Sequence, residues 1–284
     1  MTVALDRAFA EHRRLLWSLS YRRTGSAADA DDIVQDTFVR AMEHPPARTD
    51  EPLRPWLVKV ALNLSRDHLR GRKRREYVGP WLPSPVETNE DAPPSHEPSI
   101  DGRDTLEGRY GLIESVTFAF LLALERLTPR QRAVLLLGDV FEYSVKETAD
   151  AIELSEANVK TTHHRARQAM ASYDRDRHPP TSAMTEATQR ALGQFLQCLE
   201  TNDVAGVEAL LAEDVRALTD GGGEFRSALR PIVGRDKVTR FFLAIAHIGQ
   251  GIRARSVMLN GLPAVLFDAT TVPAGVAARN VVQV

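Results

Sequence analysis

Three helix-start signals between Thr128 and Ser155 constrain this chain more than any other feature. In "LTPRQRAVLLLGDV", Thr128 stands at an N-cap, Pro129 in the first turn, and Gln131 where its amide completes a capping box. After "FEY", Ser144 and Glu147 repeat that device ahead of a short helix, and Ser155 caps a longer one. Two helices joined by a tight polar turn make a helix-turn-helix. In the longer helix Val159, Thr162 or His163, Ala166 and Met170 form the inward stripe. Asn158, Lys160, Thr161, His164, Arg165 and Gln168 then point outward, and a face of amides, hydroxyls and cations suits a DNA major groove. A solvated helix in a small bundle carries a similar face, so this stretch needs support from the rest of the chain.

Residues 1–78 also read as helical. In "SAADADDIVQDTFVRAMEH" the positions Ala30, Ile33, Val34, Thr37, Phe38, Ala41 and Met42 follow one buried face, with Ser26 and Asp29 as a capping box at its start. Asp29, Asp32, Asp36 and Glu43 make an acidic row off that face, by itself an ordinary solvated surface. A second helix begins after "EPLRP", with Pro55 in the first turn and Leu57, Val60, Ala61 and Leu64 on its core face. It ends in Arg66, Arg70, Arg72, Lys73, Arg74 and Arg75 against the single acid Asp67. A helix dipole favours one or two cations at that end, whereas a cluster this dense on a rigid helix reads as a phosphate-contact surface.

The formal net charge of -2 conceals this segmentation. From Trp81 to Val116 eight acids stand against Arg103 and Arg109, and residues 79–116 are rich in proline and short of aliphatics, the composition of a linker. Tyr77 and Trp81 at its start are more than a spacer needs and point to docking on a folded surface. Cys198 is the only cysteine, which excludes an intramolecular disulfide and a cysteine-based zinc site and fits a reducing cytoplasm. No apolar run of signal-peptide length opens the chain, and the longest, "FAFLLAL" at 118–124, falls far short of the ~20 residues of a membrane helix. A soluble cytoplasmic protein without a cofactor or metal is expected, since no metal cluster, catalytic triad or nucleotide loop is legible.

From Thr181 the basic density falls. "TEATQRALGQFLQCLETNDVAGVEALLAEDVRALTDGGGEF" reads as helix, turn, short helix, strand and Gly-rich turn; "IVGRDKVTRFFLAIAH" is another helix, and "RARSVMLNGLPAVLFDAT" a hairpin around Asn260 and Gly261. "GGG" is not a phosphate loop, because no helix follows and a Lys-Ser/Thr ending is missing. After Ala274 little chain remains for further strands, so an α+β unit lacking an edge strand is expected. His247, Asp214 and Asp236 are its candidates for a catalytic base, although His247 near Phe241, Phe242 and Ile245 reads more simply as a packed core residue.

The order of these segments resembles bacterial sigma factors of the extracytoplasmic-function group over roughly residues 5–176. The resemblance rests on "DADDIVQDTFVRAM", on "PWLVKVALNLSRDHLR" with Trp56, Leu57, Asn63, Asp67 and Arg70, and on "LTPRQRAVLLL" followed by "VKTTHHRAR". It implies a non-enzymatic protein with two all-α sigma domains, at 1–78 and 117–176, that partners RNA polymerase core and promoter DNA. Asp29, Asp32, Gln35 and Asp36 would dock on the clamp helices of the largest polymerase subunit. Trp56, Asn63, Arg66, Arg70, Lys73 and Arg74, with the loop "ARTDEPLRP", would melt and capture the -10 element, and the outward face from Asn158 to Gln168 would read the -35 element.

"YVGPWLPSPVE" and "TDGGGEF" resemble motifs of a subgroup that carries a C-terminal SnoaL-like α+β cone, here residues 181–284, although Ser84 stands where that subgroup has an acid. This implies a regulatory role for Tyr77, Trp81, Leu82, Pro83, Asp220, Gly221, Gly222 and Gly223, through intramolecular contact among linker, sigma domains and C-terminal domain. No membrane partner is implied, and the sequence names no anti-sigma factor. Two rivals stand beside this reading: a stand-alone helix-turn-helix regulator that never meets polymerase, and a SnoaL-like isomerase or cyclase fused to DNA-binding helices.

Overall fold

The computed structural model of this chain describes residues 2–45, 52–74, 80–88, 109–112, 114–178 and 181–283. The chain divides into two compact units, residues 1–75 with 83–179 and residues 76–82 with 180–284.

The first unit is helical: α1 (Thr2–Thr24), α2 (Ala27–Glu43), α3 (Leu53–Arg74), a 3-10 turn (Glu114–Val116), α4 (Phe118–Leu124), α5 (Pro129–Asp139), α6 (Val145–Ile152), α7 (Glu156–Ala169) and α8 (Ala171–Asp176). Helix α2 starts where the Ser26 hydroxyl accepts the Asp29 N–H, and it buries Ala30, Ile33, Val34, Thr37, Phe38 and Ala41. Met42, counted on that stripe from periodicity, is 55% exposed in the last turn. Helix α3 packs against α1 and α2 and also against α5 and α6, so Leu57, Val58, Ala61, Leu62, Leu64 and Ser65 are all buried.

Three arginines of this unit are buried. Arg22 donates to Ser115 Oγ (2.8 Å), to the Leu112 carbonyl (2.9 Å) and to Ser18. Arg23 donates to the carbonyls of Leu62 (3.1 Å) and Pro129 (3.4 Å). Arg132 donates to the carbonyls of Arg23 and Leu124 and to Glu125. Of these acceptors, the carbonyls of Arg23 and Leu124 lie in the last turns of α1 and α4, where intrahelical partners run out. Burial, with Arg132 and Arg66 nearby, pushes the Arg23 guanidinium down to about 9, so it stays charged at neutral pH.

The stretch expected as a linker joins this unit from Pro83 on. Ser84 donates its N–H to the Gly25 carbonyl (2.8 Å), accepts the Ala27 N–H on Oγ (3.2 Å) and accepts the Tyr21 hydroxyl on its carbonyl (2.6 Å). That braces the corner where α1 turns into α2. At the other end Tyr110 is fully buried, its N–H on the Asp139 carbonyl (3.1 Å) and its hydroxyl on Asp174 (2.8 Å). Glu114 accepts the Tyr173 hydroxyl (2.9 Å) and pairs with Arg177 (3.1 Å). Most of the acids of the stretch fall in 89–108, outside the described residues.

The second unit is α+β: α9 (Ser182–Glu200), α10 (Val204–Leu210), β1 (Arg216–Ala217), β2 (Ile232–Val233), α11 (Arg235–Ile245), β3 (Arg253–Leu259), β4 (Leu262–Asp268) and β5 (Arg279–Gln283). The strands form an antiparallel sheet β3-β4-β5 and a small antiparallel pair β1-β2. Leu259 opposes Leu262, and Asn260 and Gly261 between them have φ of 51° and 76°, the left-handed pair that a two-residue hairpin requires. The expectation of too little chain after Ala274 is corrected here: Arg279–Gln283 is long enough to pair with Ala264–Asp268 of β4 and supplies an edge. Helix α9 lies on β4 and buries Leu192, Phe195 and Leu199, with Phe195 edge-to-face on Phe242 at 5.2 Å.

Candidate nucleic-acid interface

The Ser144–Glu147 capping box forms in both directions, and α6 ends at Glu153, which adopts a left-handed φ of 56°. Two residues later the Ser155 hydroxyl accepts the Asn158 N–H (3.3 Å) and α7 begins. Asn158, Lys160, Thr161, His164, Arg165 and Gln168 are all exposed, while Val159 and Ala166 are buried. Val159 packs with Val134 of α5 and Ala149 of α6, joining the three helices of the motif.

Two side chains of α7 reach back to Asp139 of α5. His163 Nε2 lies 2.9 Å from Asp139 Oδ1, off the line of a good hydrogen bond, and Arg167 grips the same carboxylate with Nε on Oδ2 (3.0 Å) and Nη2 on Oδ1. Asp139 is 2% exposed. Burial pushes its carboxyl up, and the adjoining His163 and Arg167 pull it down by more, so it sits below its ordinary value. Lys160, His164 and Arg165 are left to face outward.

On α3, Arg66 and Arg70 are exposed and each comes within 3.7 Å of the Asp67 carboxylate, while Asn63 is half-buried. Trp56 is half-buried against the core of the unit. The side chains of Lys73 and Arg74, residue Tyr77 and positions 47–51 of the expected -10 loop lie outside the described residues. On α2, Asp32, Gln35 and Asp36 are exposed, whereas Asp29 is half-buried and faces His68 of α3 at 3.3 Å.

Sequence reasoning missed that α3 and the helix-turn-helix share one unit. Lys59 pairs with Glu153 at 2.6 Å, and the Arg54 guanidinium stands over the Tyr143 ring at 5.6 Å. No periodicity within either segment signals contacts between them.

In the second unit the two singled-out motifs meet: Asp220 Oδ2 accepts the Leu82 N–H at 2.7 Å, while its Oδ1 accepts the Gly222 N–H at 2.8 Å. Gly222 and Gly223 have φ of 63° and 79°, a turn closed without side-chain strain. Trp81 is half-buried. His247 is exposed and not packed as expected, Asp214 is exposed, and Asp236 pairs with Arg240. Among the described residues no group of His, Cys, Asp and Glu is arranged to hold a metal, and no helix is long and apolar enough to cross a membrane.

Family models for Sigma-70 region 2 and Sigma-70, region 4 match residues 8–75 and 117–170. The ECF RNA polymerase sigma factor SigJ of Mycobacterium tuberculosis is 34% identical over 245 residues, 84% of this chain and 72% of that protein. SigG of the same organism is 33% identical over 240 residues, 76% of this chain and 62% of that one. The crystal structure of Mycobacterium tuberculosis SigJ aligns with a TM-score of 0.64 at 27% identity, over 98% of this chain and 95% of that chain. The chain belongs to the extracytoplasmic-function sigma factors, the non-enzymatic proteins that bind RNA polymerase core and promoter DNA and direct transcription initiation. To the sigma regions it adds the C-terminal α+β unit.

Proposed function

We propose the following division of labour: residues 1–78 as region 2, 79–116 as linker, 117–176 as region 4, and 181–284 as a SnoaL-like domain that modulates the other two. Asp32, Gln35 and Asp36, with Asp29 beside them, dock on the polymerase clamp helices. Asn63, Arg66, Arg70, Lys73 and Arg74, flanked by Trp56, capture the -10 element, and α7 reads the -35 element in the major groove. The observation that carries this reading is the exposure of all six outward residues of α7 on a capped helix-turn-helix. As a partner of polymerase the protein works in the cytoplasm.

The two promoter elements lie about 25 base pairs apart, about 85 Å at 3.4 Å per pair. The Lys59–Glu153 pair ties α3 to the turn just before α7, so the two readers separate when the protein engages polymerase and promoter together. The Asp220–Leu82 bond supports the regulatory role, because it holds the start of the linker.

The test mixes the full chain with bacterial core polymerase and follows co-elution by size exclusion, with an Asp32→Lys/Asp36→Lys double variant as control. Co-elution lost in the variant is expected; equal co-elution removes α2 from the docking face, and a wild-type chain that elutes alone favours the stand-alone regulator. Asp220→Ala in the full chain, compared with wild type in promoter-dependent transcription, tests modulation, and unchanged transcription ends that part of the proposal.

A further inference from the structure

We propose that Asp139 is a positioning residue for DNA reading, setting the rotation of α7 about its own axis and thereby which side chains meet base edges. The inference rests on the reading of α7 as the -35 helix.

The apolar grip on α7 is thin. Val159 and Ala166 are its buried residues and Met170 follows at its C-cap, so no bulky knob on the helix itself resists rolling. The polar grip is directional. Arg167 forks both carboxylate oxygens of Asp139 while His163 Nε2 lies against one of them, and the two residues sit one helical turn apart. Two residues about 6 Å apart along the axis, at 1.5 Å per residue, converge on one carboxylate, which opposes sliding as well as rolling. Asp139 is itself held: it is the last residue of α5, 2% exposed, and its carbonyl accepts the Tyr110 N–H at 3.1 Å.

The outward face stands in register with this grip. At about 100° per residue, Asn158, Thr161, Arg165 and Gln168 lie within about 40° of the direction opposite His163. Lys160 and His164 fall to one flank, nearer the phosphates. Side-chain ends lie about 5–6 Å from the helix axis, so a roll of about 30° moves them about 3 Å, enough to lose a base-edge hydrogen bond. Phosphate contacts from long cations tolerate such a shift far better, so the clamp governs discrimination more than overall affinity.

The test uses holoenzyme assembled from core polymerase and the full chain. A duplex bearing a -35 element is first selected by wild-type holoenzyme from a random pool. Transcription from this duplex is then compared with one whose -35 element is scrambled, for wild type, Asp139→Asn, Arg167→Lys and the double variant. The expected result is a drop in the matched-to-scrambled ratio of about tenfold for Asp139→Asn, a smaller drop for Arg167→Lys, and no further drop in the double variant. The salt dependence of binding to scrambled DNA should stay as in wild type. Circular dichroism reports the folded fraction, and a merely structural role would lower that fraction and leave the ratio per folded molecule unchanged, which would overturn the proposal. The Arg167 side chain is 44% exposed, so its variant keeps the test decisive if Asp139→Asn folds poorly: an unchanged ratio for Arg167→Lys then overturns the proposal as well. If wild-type holoenzyme selects no -35 sequence, the reading of α7 fails and the clamp falls with it; if wild type discriminates and the folded variants match it, only the clamp falls.

Discussion

Helices α3 and α7 both carry exposed cations, yet they are held by different forces. Helix α3 is sandwiched between α1 and α2 on one side and α5 and α6 on another, and Leu57, Val58, Ala61 and Leu62 are buried to 4% exposure or less. Helix α7 buries Val159 and Ala166 and hangs a large part of its orientation on one carboxylate. Hydrophobic burial is non-directional and offers no charge for pH or screening to act on; a forked ion pair is directional and sensitive to both. In the proposed division of labour, the helix that captures the -10 element is therefore built to stay put under changing ionic conditions, and the helix that reads the -35 element is the part that charge can retune.

The largest effect that would sharpen this contrast is a cavity under α3. Leu57→Ala is expected to destabilise the first unit by about 2–5 kcal/mol in urea unfolding, the range for a fully buried leucine. A cost under about 1 kcal/mol would mean that the interior relaxes around the deletion and that α3 is less firmly seated than its burial implies. Asp139→Asn should cost less stability, about 1–3 kcal/mol, because Arg167 is partly exposed and regains water on release. If it costs more than Leu57→Ala, the ionic grip is the stronger of the two and the comparison inverts.

Acid should expose the same difference. The carboxyl of Asp139 lies below its ordinary value in the folded chain, so its contribution is present above the unfolded value of about 3.9 and fades as pH falls through the folded value. The stability gap between wild type and Asp139→Asn should therefore shrink as pH falls below about 3.9, whereas the Leu57→Ala gap should not follow that course. A gap for Asp139→Asn that is flat down to pH 3 would remove the pair from the stability account. The smallest expected effect is at the cap: Ser155→Ala should cost about 1 kcal/mol and fray the start of α7, read as faster amide exchange at Asn158. An unchanged exchange rate would mean that α6 and Glu153 alone start the helix.

Helix positions and the outward face of α7 were legible because both depend on neighbours in sequence. Capping boxes at Thr128 and Ser144 are completed three residues on, and the 3.6-residue period separates Val159 and Ala166 from Arg165 and Gln168. Periodicity found one face of α3, through Leu57, Ala61 and Leu64, but not Val58 and Leu62, because a helix covered from two sides buries more than one stripe. Nothing local marks Arg22, Arg23 and Arg132 as guanidiniums that end among distant carbonyls.

By itself the sequence determined the capped helix starts at Ser26, Thr128, Ser144 and Ser155, the Asn260–Gly261 hairpin, the glycine turn after Asp220 and the family, because caps, turn residues and periodic faces act over a few residues. Tertiary structure alone decided which cations face inward, that α3 and the helix-turn-helix share a unit, and that Leu82 meets Asp220. Those contacts join residues 28 apart for Asp139 and Arg167 and 138 apart for Leu82 and Asp220. Hydrogen bonds and ion pairs of that span form only once the apolar faces have brought the helices and strands together, and no local pattern encodes them.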